Sequence, residues 1–324
     1  MTGKTRETIS DASKLLDMWR SEIQLRLVGQ NAMIDGMITA LIAGGHVLLE
    51  GVPGLAKTLA VKTFADVLDA DFKRIQFTPD LLPADLVGTM IFRAETGRFV
   101  PRKGPLFTNV VLGDEINRAP AKVQSALLEA MAERQVTIGD ETYPLDYPFF
   151  VLATQNPIEH EGTYPLPEAQ LDRFMLKLNV SYPSIDEEVE ILRRVGVENE
   201  ITVKSIVDRD TLRFLQRTAA EVSVDEKVER YIVELVQATR TKRDRGGFAR
   251  FLEYGASPRA SIYLLRCAKV QALFAGREYL IPDDIKAVAY MVLRHRLVLS
   301  YEAESEELSA DQIITSVLSS VSVP

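Results

Sequence analysis

Strand and helix patterns alternate from residue 27 to residue 180, and from Ser184 onward only helical periodicity remains. Together these predict an α/β domain on a five-stranded, mostly parallel sheet covered on both faces, followed by a second, all-α domain. A third observation fixes where ligand chemistry sits. The apolar run Val47–Leu49 leads through glycines to Lys57-Thr58 and straight into a helix-period pattern. A strand, a Gly-rich turn and a helix start make a phosphate cradle of backbone N–H groups and helix dipole.

Composition sets outer limits. A chain of 324 residues is long enough for two domains, and 46% apolar content supports a sizeable core. A net charge of -8 argues against a nucleic-acid binder, whose affinity rests on basic surface. The one cysteine, Cys267, excludes an internal disulfide framework, fits a reducing compartment and reads as a small core hydrophobe. His46, His160 and His295 lie far apart, so no structural metal site is expected. The N-terminus lacks an apolar leader, and no run of 18 apolar residues occurs. A cytoplasmic, soluble chain without membrane insertion is the expectation.

Residues 1–26 read as an amphipathic helix with Leu15, Leu16, Met18, Trp19 and Ile23 on one side. Its charged face is expected to be solvated. Gly29 breaks the chain, and a helix over about 30–43 ends at Gly44-Gly45. The Leu27-Val28 pair reads either as plain packing or as a wall for an adenine ring. The phosphate loop comes next: Gly51, Val52, Pro53, Gly54, Leu55 and Ala56, then Lys57, Thr58 and Leu59 opening the helix. Lys57 is placed to reach the β- and γ-phosphates and Thr58 to put its hydroxyl on Mg²⁺. Ala56 departs from the Gly-x-x-x-x-Gly-Lys-Ser/Thr pattern, and its methyl is a cost only if the backbone there needs a positive φ.

Five strands are expected, at about 46–50, 72–77, 109–113, 149–154 and 175–180. The third delivers Asp114-Glu115 to the sheet's carboxyl edge, where open α/β sheets bind ligands. Asp114 there suits Mg²⁺ held through water, and Glu115 suits a base for the attacking water. Pro120 suits the first turn of a helix running to about Arg134. The fourth strand delivers Thr154, Gln155 and Asn156 to the same edge. Asn156 reads as a holder of water or γ-phosphate, or as a turn former before Pro157. Arg173 reads as a finger for a neighbouring subunit's phosphate, or as the partner of a carboxylate on its own domain. Thr96-Gly97 and Gly139-Asp140 mark two hairpins, at about 90–106 and 135–148. Five helical segments fill the second domain, about 183–300, and 301–324 form an acidic tail with weak helical character. Ser257 is an N-cap and Pro258 a first helical residue. Arg259 then sits where the helix dipole disfavours a cation, so a phosphate across the domain cleft or a carboxylate must compensate.

Taken together, GVPGLAKT, VVLGDEINRAPAKVQSALLEAMAERQVTIG, ATQNP, EAQLDRF and GASPRA resemble the MoxR branch of the AAA+ ATPases, over about Leu27 to Leu297. The resemblance implies an αβα core over 27–182, a helical lid, and an ATP site between core and lid at a subunit boundary. It implies Walker A roles for Lys57 and Thr58, Walker B roles for Asp114 and Glu115, and a first-sensor role for Asn156. It further implies an arginine finger in Arg173, a second sensor in Arg259 and an interface arginine in Arg118. The two hairpins match the family's substrate-facing inserts. Hexameric rings and chaperone-like remodelling of client proteins, some with von Willebrand A domains, come with the likeness. The sequence therefore supports an ATP-driven remodeller, in which lid movement depends on Arg259 sensing the γ-phosphate. A nucleic-acid motor using Arg98, Arg102 and Lys103, or a nucleotide-gated scaffold with negligible turnover, are the alternatives.

Overall fold

A computed structural model describes residues 3–52, 54–156, 163–195, 201–240 and 247–324. In chain order the strands are β1 (Val47–Glu50), β2 (Phe72–Gln76), β3 (Gly88–Arg93), β4 (Arg98–Lys103), β5 (Val110–Asp114), β6 (Gln135–Ile138), β7 (Glu141–Pro144), β8 (Phe150–Gln155), β9 (Leu176–Asn179), β10 (Leu252–Tyr254) and β11 (Val298–Leu299). The first-domain helices are α1 (Gly3–Arg26), α2 (Asn31–Ala43), α3 (Lys57–Val67), α4 (Pro83–Val87), α5 (Ala121–Glu133) and α6 (Glu168–Leu171). The remaining helices are α7 (Ile185–Val195), α8 (Arg209–Glu221), α9 (Glu226–Ala238), α10 (Pro258–Phe274), α11 (Pro282–Leu293), α12 (Tyr301–Ser305) and α13 (Ala310–Ser320).

The main sheet has five strands in the order β2-β5-β8-β1-β9, and every pairing is parallel. Both faces are buried, as a parallel sheet with helical crossovers requires. Alternate residues show it. Val47, Leu49, Leu112 and Leu152 enter one hydrophobic cluster, while Leu48, Val111 and Val151 enter the other. The first cluster does not stop at the sheet. It runs through α1 and α2 into α8, α9, α10, α11 and α13, so the helical domain shares a core with the sheet. Within α2, residues Met33, Ile34 and 36–42 are all buried, because the helix lies between β9 and the helical domain. Gly36 permits the close approach: a β-carbon there would lie 2.6 Å from Leu178.

Along α1, Ile9, Ala12, Leu16, Trp19 and Ile23 form the buried stripe, and Trp19 stacks on Phe64 of α3 at 5.3 Å. Met18 is not part of that stripe and is 54% exposed, a correction to the expected set. It is one residue off the i, i+3, i+4 spacing that the other five keep. The helical domain also carries a short antiparallel ribbon, β10 with β11, that helical periodicity did not signal.

Both hairpins form, β3 with β4 and β6 with β7, and their turns use Gly97 and Gly139 at positive φ. They are joined to each other. Gly139 packs on Met90, and Lys103 Nζ lies 4.6 Å from the Phe107 ring centroid and 5.8 Å from that of Tyr143. At the first hairpin Phe92 and Phe99 pair across the strands, 58% and 66% exposed.

Candidate active site

The carboxyl ends of β1, β5 and β8 are neighbours in the sheet, so the segments leaving these three strands meet at one edge. A cleft of about 370 Å³ opens there, lined by Gly54 to Thr58, by Asp114 and Glu115, and by Thr154 and Asn156. Arg74 and Gln76 of β2 complete its wall. Ala56 has φ 53° and ψ 21°, so the chain does need the left-handed conformation at that position. Its methyl is therefore a real local strain, of about 1–2 kcal/mol. Pro53 lies outside the described residues, as does His160.

Lys57 is half-buried, and its Nζ donates to the Gly51 carbonyl at 2.6 Å, across its own loop. Burial pulls its pKa below the usual lysine value, while Asp114, Glu115 and Glu50 pull it back up. Thr154 orders the two carboxylates. Its hydroxyl donates to Asp114 Oδ1 at 2.6 Å and accepts from the Glu115 N–H at 2.8 Å. Asp114 Oδ2 accepts from Arg74 at 2.6 Å. Glu115 stands at φ 56°, and its Oε2 accepts from Gln76 and from Arg118, each at 2.9 Å. Asn156 is buried at the inner wall.

Arg173 and Arg259 are elsewhere. They line a separate cavity of about 290 Å³ with Gly44, Gly45, His46 and Arg134. Gly44 to His46 precede β1, whereas the phosphate loop comes after it, so the two sites lie at opposite edges of the sheet. Five residue steps of extended chain separate them by roughly 15 Å. Arg173 donates to the Leu128 carbonyl at 3.1 Å. Arg259 lies 3.6 Å from Asp172 Oδ2, so a carboxylate of the sheet domain supplies the compensation its helix-start position demands. Ser257 caps α10 by accepting from the Arg259 N–H and also hydrogen-bonds Asp172 at 2.9 Å. Arg259 thus lines this cavity and not the phosphate-loop cleft of its own chain, and of the two expected partners the carboxylate is the one present.

The AAA family of ATPases (ATPase family associated with various cellular activities) matches residues 46–176, and the AAA lid domain matches 249–317. The chain is 51% identical over 305 residues to chaperone MoxR1 of Mycobacterium tuberculosis, covering 94% of this chain and 81% of that one. The chain belongs to the MoxR-like AAA+ ATPases. Protein MoxR of Methylorubrum extorquens is 31% identical over 346 residues, covering 98% and 99% of the two chains. A Cytophaga hutchinsonii crystal structure superposes with a TM-score of 0.91 at 51% identity, over 98% of this chain and 97% of that one.

In this MoxR-like chain the phosphate loop, Asp114, Glu115 and Asn156 share one cleft, and Arg118 reaches it through Glu115. Leu59 is 41% exposed on the first turn of α3. Val28 is half-buried beside buried Leu27, in a segment held against the start of α7. There Gln30 donates to the Ser181 carbonyl at 2.9 Å, and a β-carbon on Gly29 would meet Glu187. Arg74 and Gln76 were not among the expected site residues, and Thr154 was expected at this edge without a role. The signal for them was position: β2 and β8 end at the same edge as β5. No group of three or more His, Cys, Asp or Glu suited to a metal occurs among the described residues, and no described helix is long and apolar enough to cross a membrane.

Proposed function

We propose that this chain hydrolyses ATP to ADP and phosphate and uses the cycle to remodel, assemble or activate partner proteins in the cytoplasm. The observation that carries the reading is the meeting of Lys57, Thr58, Asp114, Glu115 and Asn156 in one cleft. The N–H groups of the loop and Lys57 take the triphosphate, once the ammonium leaves the Gly51 carbonyl. Val28 borders the adenine. Thr58 and Asp114 would hold Mg²⁺, and one hydroxyl with one carboxylate suits an ion that keeps phosphate oxygens and waters as its other ligands. When bound, that ion offsets charge on the phosphates. Arg74 donates to the same carboxylate, whose remaining lone pairs would stay available to a water of that ion.

Asn156 positions a water, and Glu115 accepts its proton as the oxygen bonds to the γ-phosphorus and ADP leaves. Arg118 and Gln76 hold the Glu115 carboxylate in the meantime. Arg173 and Arg259 are too far from the loop of their own chain to touch its phosphates. They serve a neighbouring copy, as a ring of six copies would allow. The joined hairpins, with Phe92 and Phe99 exposed, are the surface offered to client proteins, those with von Willebrand A domains included.

Phosphate release by the purified chain tests this. ATP should bind in the presence of Mg²⁺ and turn over. Lys57→Ala should lose binding, and Glu115→Gln should keep binding while turnover falls about a hundredfold or more. A folded chain with no affinity for Mg-ATP overturns the reading.

A further inference from the structure

Three arginines, not two, converge on the cavity at the amino edge of the sheet. Arg134 lines it with Arg173 and Arg259, and no acidic side chain is among the described lining residues. Asp172, the carboxylate that pairs with Arg259, is already shared with Arg296 and Ser257. A cavity of about 290 Å³ lined by three arginines carries the positive charge that a polyanion would need.

The backbone at Arg134 adds a second, independent observation. Arg134 closes α5 in the left-handed conformation, φ 52° and ψ 33°, the place where helices usually put glycine. Among the described residues only six non-glycines have positive φ; Ala56 and Glu115 line the phosphate cleft, and Arg134 lines the arginine cavity. Strain of this kind collects where a side chain must be aimed. The exposed guanidinium lies at the end of α2, with Nη2 3.4 Å from the Gly44 carbonyl.

We propose that Arg134 is a third cation acting across the copy-to-copy boundary, touching the triphosphate bound by the next copy together with Arg173 and Arg259. The inference rests on the composite-site reading above and extends it by one residue. Arg134 adds a charge-assisted hydrogen bond to phosphate oxygens whose negative charge grows as the γ-phosphoryl group transfers.

The test uses Arg134→Gly, Arg134→Lys and Arg173→Ala in the full chain. Glycine removes the guanidinium while easing the backbone, so Arg134→Gly should melt no lower than the parent. It should bind a fluorescent ATP analogue as the parent does, yet release phosphate about ten- to a hundredfold more slowly. Arg134→Lys should recover part of that loss. Mixing Arg134→Gly copies with Lys57→Ala copies should restore turnover, because an intact loop then meets an intact Arg134. Turnover of Arg134→Gly within twofold of the parent, with Arg173→Ala inactive, overturns this inference and leaves the composite site standing. Slow turnover that no mixture restores places Arg134 in its own copy's chemistry and also overturns it. Full activity in Arg173→Ala sinks the composite site itself.

Discussion

Asp172 Oδ1 accepts a hydrogen bond from Arg296 Nε at 2.9 Å, and this pair fastens the helical domain to the sheet domain one residue from Arg173. The Arg296 side chain is 1% exposed. It also donates to the carbonyls of Asp172 at 3.1 Å and Met175 at 3.2 Å, and to that of Phe174. Burial draws its pKa down, and Asp172 works against that. Asp172→Asn leaves the guanidinium buried without its counter-charge. The expected loss is about 3 kcal/mol or more, read as a lower midpoint in denaturant unfolding.

Ala56→Gly tests the strain in the phosphate loop. Glycine takes φ near 53° without penalty, so the variant should gain about 1 kcal/mol of stability, less what the unfolded chain gains in freedom. ATP affinity should hold or rise. A drop in both, by calorimetry and equilibrium binding, would mean that the methyl itself packs usefully.

Arg259→Ala separates the two edges of the sheet. Single copies at high dilution should bind an ATP analogue as the parent does, because Arg259 does not line their cleft. Assembled copies should release phosphate about tenfold or more slowly. Weaker analogue binding by single copies would place Arg259 at its own loop after all.

The imidazole of His46 gives the fold a pH dependence. Nδ1 accepts from the Val151 N–H at 3.1 Å, which leaves Nε2 to donate to the Met131 carbonyl at 3.1 Å. The bond from Val151 needs the neutral ring, whereas the one to Met131 survives protonation, and burial holds the pKa down at about 4, against 6.5 when unfolded. His295, also buried, is shifted the same way. The unfolded chain takes up these protons first. Stability is therefore complete above pH 6.5 and drains as pH falls toward 4, with His46 contributing on the order of 3 kcal/mol. His46→Gln should flatten that part of the curve. A slope unchanged by the substitution would remove His46 as its source.

Cys267 offers a simple probe of folding. It is fully buried, and burial pushes its thiol up to about 12. A thiol reagent should label it only as the chain unfolds, at a rate that tracks denaturant. Fast labelling of the native chain would contradict the packing of α10.

The strands were legible because each is an apolar run closed by turn signals. Val110–Asp114, for example, carries its carboxylate one step past the buried part. The cleft was legible for the same reason, since parallel strands deliver their ends to one edge. Arg74 and Gln76 were not, because exposed alternate residues on an edge strand look like an ordinary solvated face. Whether Arg259 meets a phosphate or a carboxylate was not legible, because local spacing gives the start of α10 but not where α10 sits. That position is decided by distant contacts such as Asp172 with Arg296 and Gln271 with Thr39.

The burial of residues 36–42 of α2 on every side ties the two domains together. Gln271 holds Thr39 at 3.1 Å, and Gln216 holds the Leu41 carbonyl at 3.0 Å, while Gly36 is pressed to the sheet. Prising the two halves apart would wet this helix at about 1.5–3 kcal/mol for each large side chain uncovered. Opening the seam between the two domains at α2 is therefore costly. If the proposed cycle moves client proteins, tilting whole copies against one another would leave this seam closed.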